Sequence, residues 1–492
     1  MLQVVWFRRD IRLHDHQPLV EALQYGEPIL PVYIADPSLW KNSERSVRHL
    51  QFIMEGLTEL QESFHHRSGT VYVSIQEVED VLATIYEAFG EFTIHAHEES
   101  ETPLMKEQNM RVHMWMERQG LQMKEYQQDG VVKGLDHRGT WRKEWNVYMD
   151  SPLWKTPTYI PTVDEEEVPS ILSSSIEKMN RLSVGGIGIK YGQQGGESLA
   201  LESLETFLSE RSISYKDDLS DSDSSSTSGS RLSPYLAWGN VTMRYVVQRT
   251  NEKISSIEDE NHVKQLKAFL LRLFWHSQYK QWLEDDSSIA LESINTALDH
   301  VREDNEERFH KWCKGETGIP MIDAAMRLLL KTGWINHQLR AMLISFACHT
   351  LGLDWRRPGD YLAGLFLDYV PGIHYSQIQL SAGTTDAKSV KVLNPIKLGK
   401  DLDPEGAFVR SHIPALKHVP NKYIHQPWKY HGFVHIDYSE PVVDVKEANR
   451  FAKEVISSVK GKGSTNVQRK RTKKKQRSTS ENQQLSLNLF DS

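Results

Sequence analysis

Gln3-Val4-Val5-Trp6-Phe7 is followed, one helix-length later, by Ile29-Leu30-Pro31-Val32-Tyr33-Ile34. Short apolar runs rich in β-branched and aromatic residues, separated by enough chain for a crossover, are the two ends of a βαβ unit. The pattern repeats at Thr70–Ile75, Phe92–His97 and Met123–Gln127. Between these runs, Val47–Phe64 sets Leu50, Ile53, Leu57 and Leu60 at helical spacing, and Thr102–Arg118 supports another crossover helix. Residues 1–130 are therefore expected to form an α/β domain with a parallel, Rossmann-like sheet, which binds ligands outside the C-terminal ends of its strands.

Beyond this domain the composition changes. From Lys155 to Ala200 it turns to Pro, Ser, Glu and Gly, and residues 131–202 are expected to link two domains. Gly185-Gly186-Ile187-Gly188 does not complete a dinucleotide fingerprint and has no strand before it. Residues 203–450 read as an all-α domain, with helical patterns at Val263–Leu283, Met321–Lys331 and Asn336–Leu351. Residues 451–492 read as a basic, disordered tail.

Composition excludes several classes. Cys313 and Cys348 are the only cysteines of 492 residues, too few for a disulfide scaffold, a four-cysteine zinc site or an all-cysteine iron–sulfur cluster. Redox chemistry would need a bound organic cofactor, and no metal is expected. The apolar runs are shorter than the ~20 residues that span a bilayer, so the chain reads as soluble and intracellular. The net charge of −8 hides an asymmetry, because Lys460–Arg477 holds nine bases and no acid. Without them and the tail acids Glu481 and Asp491, 49 bases face 64 acids, a net −15 for residues 1–459. Nucleic-acid binding would thus need a local basic face and the tail.

Several stretches carry chemistry only in company. Ser224–Ser230 with Arg231, Leu232 and Ser233 has the composition of a flexible linker, yet hydroxyls and free backbone N–H groups before Pro234-Tyr235-Leu236 would cradle a diphosphate. Gly315-Glu316-Thr317-Gly318-Ile319-Pro320 alone would be a turn feeding a helix, with Asp323 in its first turn. Gly333-Trp334-Ile335-Asn336-His337-Gln338-Leu339-Arg340 begins a helix on which His337, Arg340 and Ala341 share a face.

Together, and in this order, Ser230-Arg231-Leu232-Ser233-Pro234, the Gly-x-Thr-Gly-x-Pro stretch ending Asp323-Ala324-Ala325-Met326-Arg327, and Asp403-Pro404-Glu405-Gly406 resemble motifs of the photolyase/cryptochrome family. Trp6-Phe7-Arg8-Arg9-Asp10 and Tyr423-Ile424-His425-Gln426-Pro427-Trp428 extend the resemblance over roughly residues 1–450. It implies an antenna-binding α/β domain and a helical domain holding FAD, used for blue-light-driven electron transfer to a flipped pyrimidine lesion. Tyr215, Ser230, Arg231, Leu232 and Ser233 would contact the FAD phosphates and ribityl chain, with Trp334 flanking. Arg340 would pair with Asp368 beside the isoalloxazine, and His374 would face flavin N5. A second, antenna chromophore of folate, deazaflavin or flavin type is the further cofactor implied.

The substrate pocket departs from the family. Its Glu and Trp-Arg on the first pocket helix stand here as Arg272, Trp275 and His276, and the Asn-Arg of dimer photolyases as His337-Gln338. Where (6-4) photolyases carry two histidines, this chain has His337 and Ala341. Of the Trp electron-transfer chain Trp355 matches the middle member, but the flavin-proximal place falls at Ile378 and the surface place near Arg302. Another route would run through Trp275, Trp312, Trp334 or Tyr375. Two functions follow: a divergent DNA photolyase, or a cryptochrome-like sensor that keeps FAD without repair. Gln484-Leu485-Ser486-Leu487-Asn488-Leu489-Phe490 resembles the peptide by which bacterial repair proteins dock on the DNA sliding clamp, which favours repair in the cytoplasm, at the nucleoid.

Overall fold

A computed structural model describes all residues except 101, 136, 137, 219–226, 300, 386–389 and 461–492. The Ser224–Ser226 part of the expected cradle and the whole of Gln484–Phe490 lie outside the described residues. The chain forms two compact units, the first made of Met1–Ala290, Leu328–Asn336 and Asp360–Tyr375, the second of Leu291–Arg327, His337–Gly359 and the chain from Ser376 onward.

The first unit holds the expected parallel sheet. Strands β1 (Leu2–Phe7), β2 (Ile29–Ile34), β3 (Tyr72–Ser74), β4 (Phe92–His97) and β5 (Gln122–Tyr126) lie in the order β3-β2-β1-β4-β5. Val4 of β1 stands opposite Leu30 of β2 and Ile94 of β4. Helices cover both faces, which is why β1, β2 and β4 read as unbroken apolar runs instead of alternating. Val5, Phe7 and Tyr33 pack with Leu19 of α1 (Gln17–Leu23) and Leu50, Ile53, Leu57 and Leu60 of α2 (Val47–His65). Val4, Trp6, Leu30 and Val32 pack with Val81 and Ile85 of α3 (Val78–Phe89) and Val112 of α4 (Pro103–Arg118). The strand order reverses between β1 and β4, so a crevice opens at their C-terminal ends.

Among the described residues no strand follows Tyr126. The first unit continues through α5 (Trp141–Asp150), α6 (Glu197–Ser209), α7 (Ser233–Trp238), α8 (Met243–Ser255) and α9 (Glu260–Asp285). Residues 131–202, read as a linker, are packed chain: Trp141 and Trp145 enter the core, and Ile29 N–H donates to Pro161 O at 2.9 Å. The boundary near residue 202 marks a change of secondary-structure type, while the compact unit runs on to Ala290.

The remaining helices are α10 (Glu306–Lys314), α11 (Pro320–Thr332), α12 (His337–Ser345), α13 (Arg356–Ala363), α14 (Pro371–Ala382), α15 (Pro395–Leu402), α16 (Ala407–His412) and α17 (Val445–Lys460). The last overlaps the segment expected to be disordered, so residues 451–460 are helical. Asp323 explains the Gly-x-Thr-Gly-x-Pro stretch in the second unit. Its carboxylate accepts Thr317 N–H and Oγ1–H at 2.8 and 2.7 Å, Gly318 N–H at 3.0 Å and the Tyr438 hydroxyl at 2.5 Å. Gly318 has φ +75°, and a Cβ there would lie 2.3 Å from Glu440 O, so this position requires glycine. Asp403 likewise accepts Phe408 and Val409 N–H at 3.1 and 3.0 Å and so starts α16.

Candidate functional site

Helix α9 carries Arg272, Trp275 and His276 within two turns. Tyr215 packs edge-on against Phe207 and Phe269 at 5.4 and 5.5 Å, and burial pushes its phenol up to about 12, against the pull of the Arg272 charge. The structure therefore brings Tyr215 and Arg272 together. Trp275 meets Tyr279 at 6.0 Å, and Tyr279 meets Trp282 at 5.0 Å. Burial, with the Lys280 charge beside it, brings His276 down to about 4, while Asp129 and Asp368 pull the other way. His276 is thus a neutral imidazole near the Asp368 carboxylate, with Nδ1 buried and without a hydrogen-bond partner.

The Ser230–Ser233 loop is held from both sides. Arg231 has φ +58°, and its guanidinium lies 4.0 Å from the centre of the Trp334 ring. Gln193 Nε2 donates to Arg231 O at 2.8 Å, Leu232 is buried, and Ser233 opens α7. This arrangement joins Arg231 to Trp334, which sequence spacing could not do. His374 is buried within a ring of aromatic side chains, with Phe366, Tyr369 and Tyr375 centred 6.0, 5.3 and 5.1 Å away.

His337, Gln338 and Arg340 lie on α12, in the second unit, whereas Asp368 and His374 belong to the first. Trp355 is fully buried and donates its indole N–H to Ser293 Oγ at 2.8 Å. A Cβ on Gly359 would meet Ile378 at 3.4 Å and Trp355 at 3.9 Å, so an aliphatic side chain lies beside Trp355. Arg302 donates to Ala382 O.

One cluster was not legible in advance. Asp10, His16 and His97 are buried at the reversal between β1 and β4, and among the described residues they alone could hold a metal ion. Asp10 Oδ2 accepts from His16 Nε2 at 3.0 Å and from His97 Nδ1 at 2.7 Å, while Oδ1 accepts Arg8 N–H at 2.6 Å. Leu19 N–H donates to His16 Nδ1 at 3.1 Å, so the His16 proton sits on Nε2 and that nitrogen has no lone pair for a cation. Burial works to raise the Asp10 carboxyl, but His16 and His97 outweigh it and hold it well below the usual range. The cluster is a buried carboxylate held by two imidazoles.

Above it, Trp6, Arg8, Arg9, Tyr33, Arg45 and Trp238 enclose a cavity of about 40 Å³. Arg9 stacks on Trp238 at 4.5 Å and closes it. Ligand pockets usually run to about 300–1,000 Å³, so these side chains as arranged do not fit a second chromophore.

Each unit holds further buried polar atoms. His276 Nδ1 and Gln278 Oε1 on α9, Gln338 Oε1 on α12 and Ser376 Oγ on α14 have no hydrogen-bond partner in the protein. Buried polar groups are nearly always paired. A ligand presenting ring nitrogens and hydroxyls, as FAD does, fits the two on α9.

Comparison with known proteins agrees. Residues 3–141 match the DNA photolyase family, and residues 269–458 match the FAD binding domain of DNA photolyase. A deoxyribodipyrimidine photo-lyase of Streptomyces griseus is 29% identical over 90% of this chain and 97% of its own. A cryptochrome DASH of Gloeobacter violaceus is 24% identical over 90% and 93%. The crystal structure of a Synechocystis cryptochrome superposes with a TM-score of 0.82 at 23% identity, covering 92% of this chain and 99% of that one. With its five-stranded parallel sheet, its helical half and both halves matched, the chain belongs to the photolyase/cryptochrome superfamily.

Proposed function

We propose that the chain is an FAD-dependent, blue-light-driven DNA photolyase-like enzyme that repairs UV pyrimidine lesions. The observation carrying this reading is the pair of partnerless buried polar atoms on α9, Nδ1 of the neutral His276 and Gln278 Oε1, on the helix that carries Trp275. Photolyase relatives spanning nearly the whole chain support it. When bound, FAD supplies light absorption and reversible one-electron transfer.

The chain's own residues do the rest. Arg231, held over Trp334, would present the Ser233 N–H to the diphosphate, with Ser230, Leu232, Ser233 and Tyr215 along the ribityl chain. By the resemblance, Arg340 would supply the cation beside the isoalloxazine, and His374 would face N5. Trp275 offers a flat wall for a flipped base, with Arg272 and His276 on the same helix, and by the resemblance His337 and Gln338 take the places of the Asn-Arg of dimer photolyases. A neutral imidazole hydrogen-bonds a base without bringing a charge into a pocket from which water is excluded. The basic stretch Lys460–Arg477 would hold DNA phosphates against an otherwise acidic body, and Gln484, Leu485, Leu487, Leu489 and Phe490 would tether the enzyme to the sliding clamp at the nucleoid.

A second reading, a cryptochrome-like photoreceptor without repair, is favoured by Ile378 and Arg302, which the resemblance sets in the places of the electron-transfer tryptophans. The deciding experiment illuminates anaerobically reduced protein with oligonucleotides carrying a cyclobutane dimer or a (6-4) product and follows lesion loss by chromatography. Turnover of either lesion is expected. No turnover with FAD bound and reducible would leave the photoreceptor.

A further inference from the structure

Tyr375 is almost completely buried on α14, yet its hydroxyl reaches two carboxylates: it donates to Glu44 Oε1, and Asp360 Oδ1 lies 3.2 Å away. Glu44 comes from the loop before α2 and Asp360 from α13. Burial, and then the charges of its neighbours, among them Glu44 and Asp360, raise the phenol well above its ordinary value, so Tyr375 keeps its proton at rest. Holding a phenol against two partly buried carboxylates is a costly way to tie a loop to a helix, since one neutral acceptor would do.

The arrangement does suit one-electron oxidation. A phenol that loses an electron becomes a strong acid, so oxidation is easy only where a base already holds the hydroxyl. Tyr375 also has the right neighbours: its ring meets that of His374 at 5.1 Å, and it stands one helical turn before Ile378.

We infer that Tyr375 is the flavin-side electron donor of this protein, with Glu44 as its proton acceptor, in place of the tryptophan missing at Ile378. This inference rests on the flavin reading above. Tyr375 gives one electron to light-excited FAD; its O–H bond breaks, the proton passes to a Glu44 carboxylate oxygen, and a neutral tyrosyl radical remains. A thiol reductant then returns the electron, and Glu44 returns the proton. The competing path is Trp275–Tyr279–Trp282, whose rings follow one another along α9 and end at the half-buried Trp282.

The test uses the full chain with FAD content first fixed by absorbance, then blue-light reduction in the presence of dithiothreitol, and electron paramagnetic resonance after a flash. The wild type should give a tyrosyl signal and reduce more slowly in heavy water. Tyr375→Phe should lose the signal, and Glu44→Gln, which keeps a hydrogen-bond acceptor but removes the base, should slow reduction about 100-fold. Equal FAD content with unchanged reduction in Tyr375→Phe overturns the inference and leaves the flavin reading standing. So does loss of reduction confined to Trp282→Phe. A wild-type chain that holds no FAD overturns both.

Discussion

Arg231 is the residue whose conformation and contacts most need explaining. A side chain in the left-handed region costs about 1–2 kcal/mol, and here φ is +58°. Stacking on Trp334 returns about 0.5–2 kcal/mol, so the strain is held by the tryptophan and by Gln193 on the carbonyl. Two variants separate the guanidinium from the backbone. Arg231→Ala keeps the strained conformation without the stack and should weaken FAD retention about tenfold, equivalent to about 1.4 kcal/mol. Arg231→Gly relieves the strain. If the backbone N–H groups do the binding, Gly should retain FAD better than Ala, as read by fluorescence of released flavin on dilution; equal loss would assign the role to the guanidinium. The motif around Arg231 was legible in the sequence, but its φ and its ring partner 103 positions later depend on tertiary contacts. His276 is similar: its identity was plain, whereas its neutrality follows from burial and from Lys280.

At the scale of elements, Arg48 on α2 shows how helix ends are satisfied. Its guanidinium donates to Leu365 O and Ile187 O at 2.9 Å each, and to the Leu329 and Leu330 carbonyls of α11 at 3.4 Å. The last carbonyls of a helix have no partner within it, and one planar fork serves several at once. Arg48→Met, similar in volume, should cost about 2–4 kcal/mol by removing the donor to the Leu365 and Leu330 carbonyls, while Leu329 O keeps Gly333 N–H. A fall of the urea midpoint checks it; a midpoint equal to wild type would mean that water replaces the fork. The strands were legible because their runs combine β-branched residues with turn signals. The exception is the third, expected over Thr70–Ile75 and paired only over Tyr72–Ser74: Thr70 N–H donates to Thr162 Oγ1 and Val71 N–H to Gln61 Oε1, which takes both out of the ladder. The helix expected over Asn336–Leu351 ends as α12 at Ser345 and widens into a π turn at Phe346–Thr350. Periodicity does not register one inserted residue. Residues 131–202 were misread for a related reason, since Pro, Ser and Gly mark irregular backbone, and irregular backbone still buries Ile160 and Met179.

The whole molecule carries an acid sensitivity set by histidines far apart in the chain. Burial is the first cause at each: His49 falls to about 3 and His97 to about 4 in the first unit, and His349 to about 3 in the second. Each is neutral in the folded state and bonded, His49 Nε2 to Phe366 O at 2.8 Å, His97 Nδ1 to Asp10 Oδ2 at 2.7 Å, and His349 Nε2 to Ser381 O at 3.1 Å. In the unfolded chain a histidine takes its proton near pH 6.5. Between that value and about 4 the unfolded state therefore holds more protons than the folded one, and stability falls as the pH falls, by about 1.4 kcal/mol per pH unit for each residue. Asp10 does not offset this, because its depressed carboxyl gives stability that is lost only below the ordinary carboxylate range, outside the window. The urea midpoint should drop steeply from pH 7 to pH 5. His49→Gln keeps a donor for Phe366 O but cannot titrate, so its midpoint should fall less steeply, by about one proton's worth of slope. A wild-type midpoint that stays level between pH 7 and pH 5 would mean that these imidazoles are hydrated in the folded state, contrary to their burial. A level midpoint with an acid-dependent loss of FAD would instead place the sensitivity at His276, a neutral histidine near Asp368.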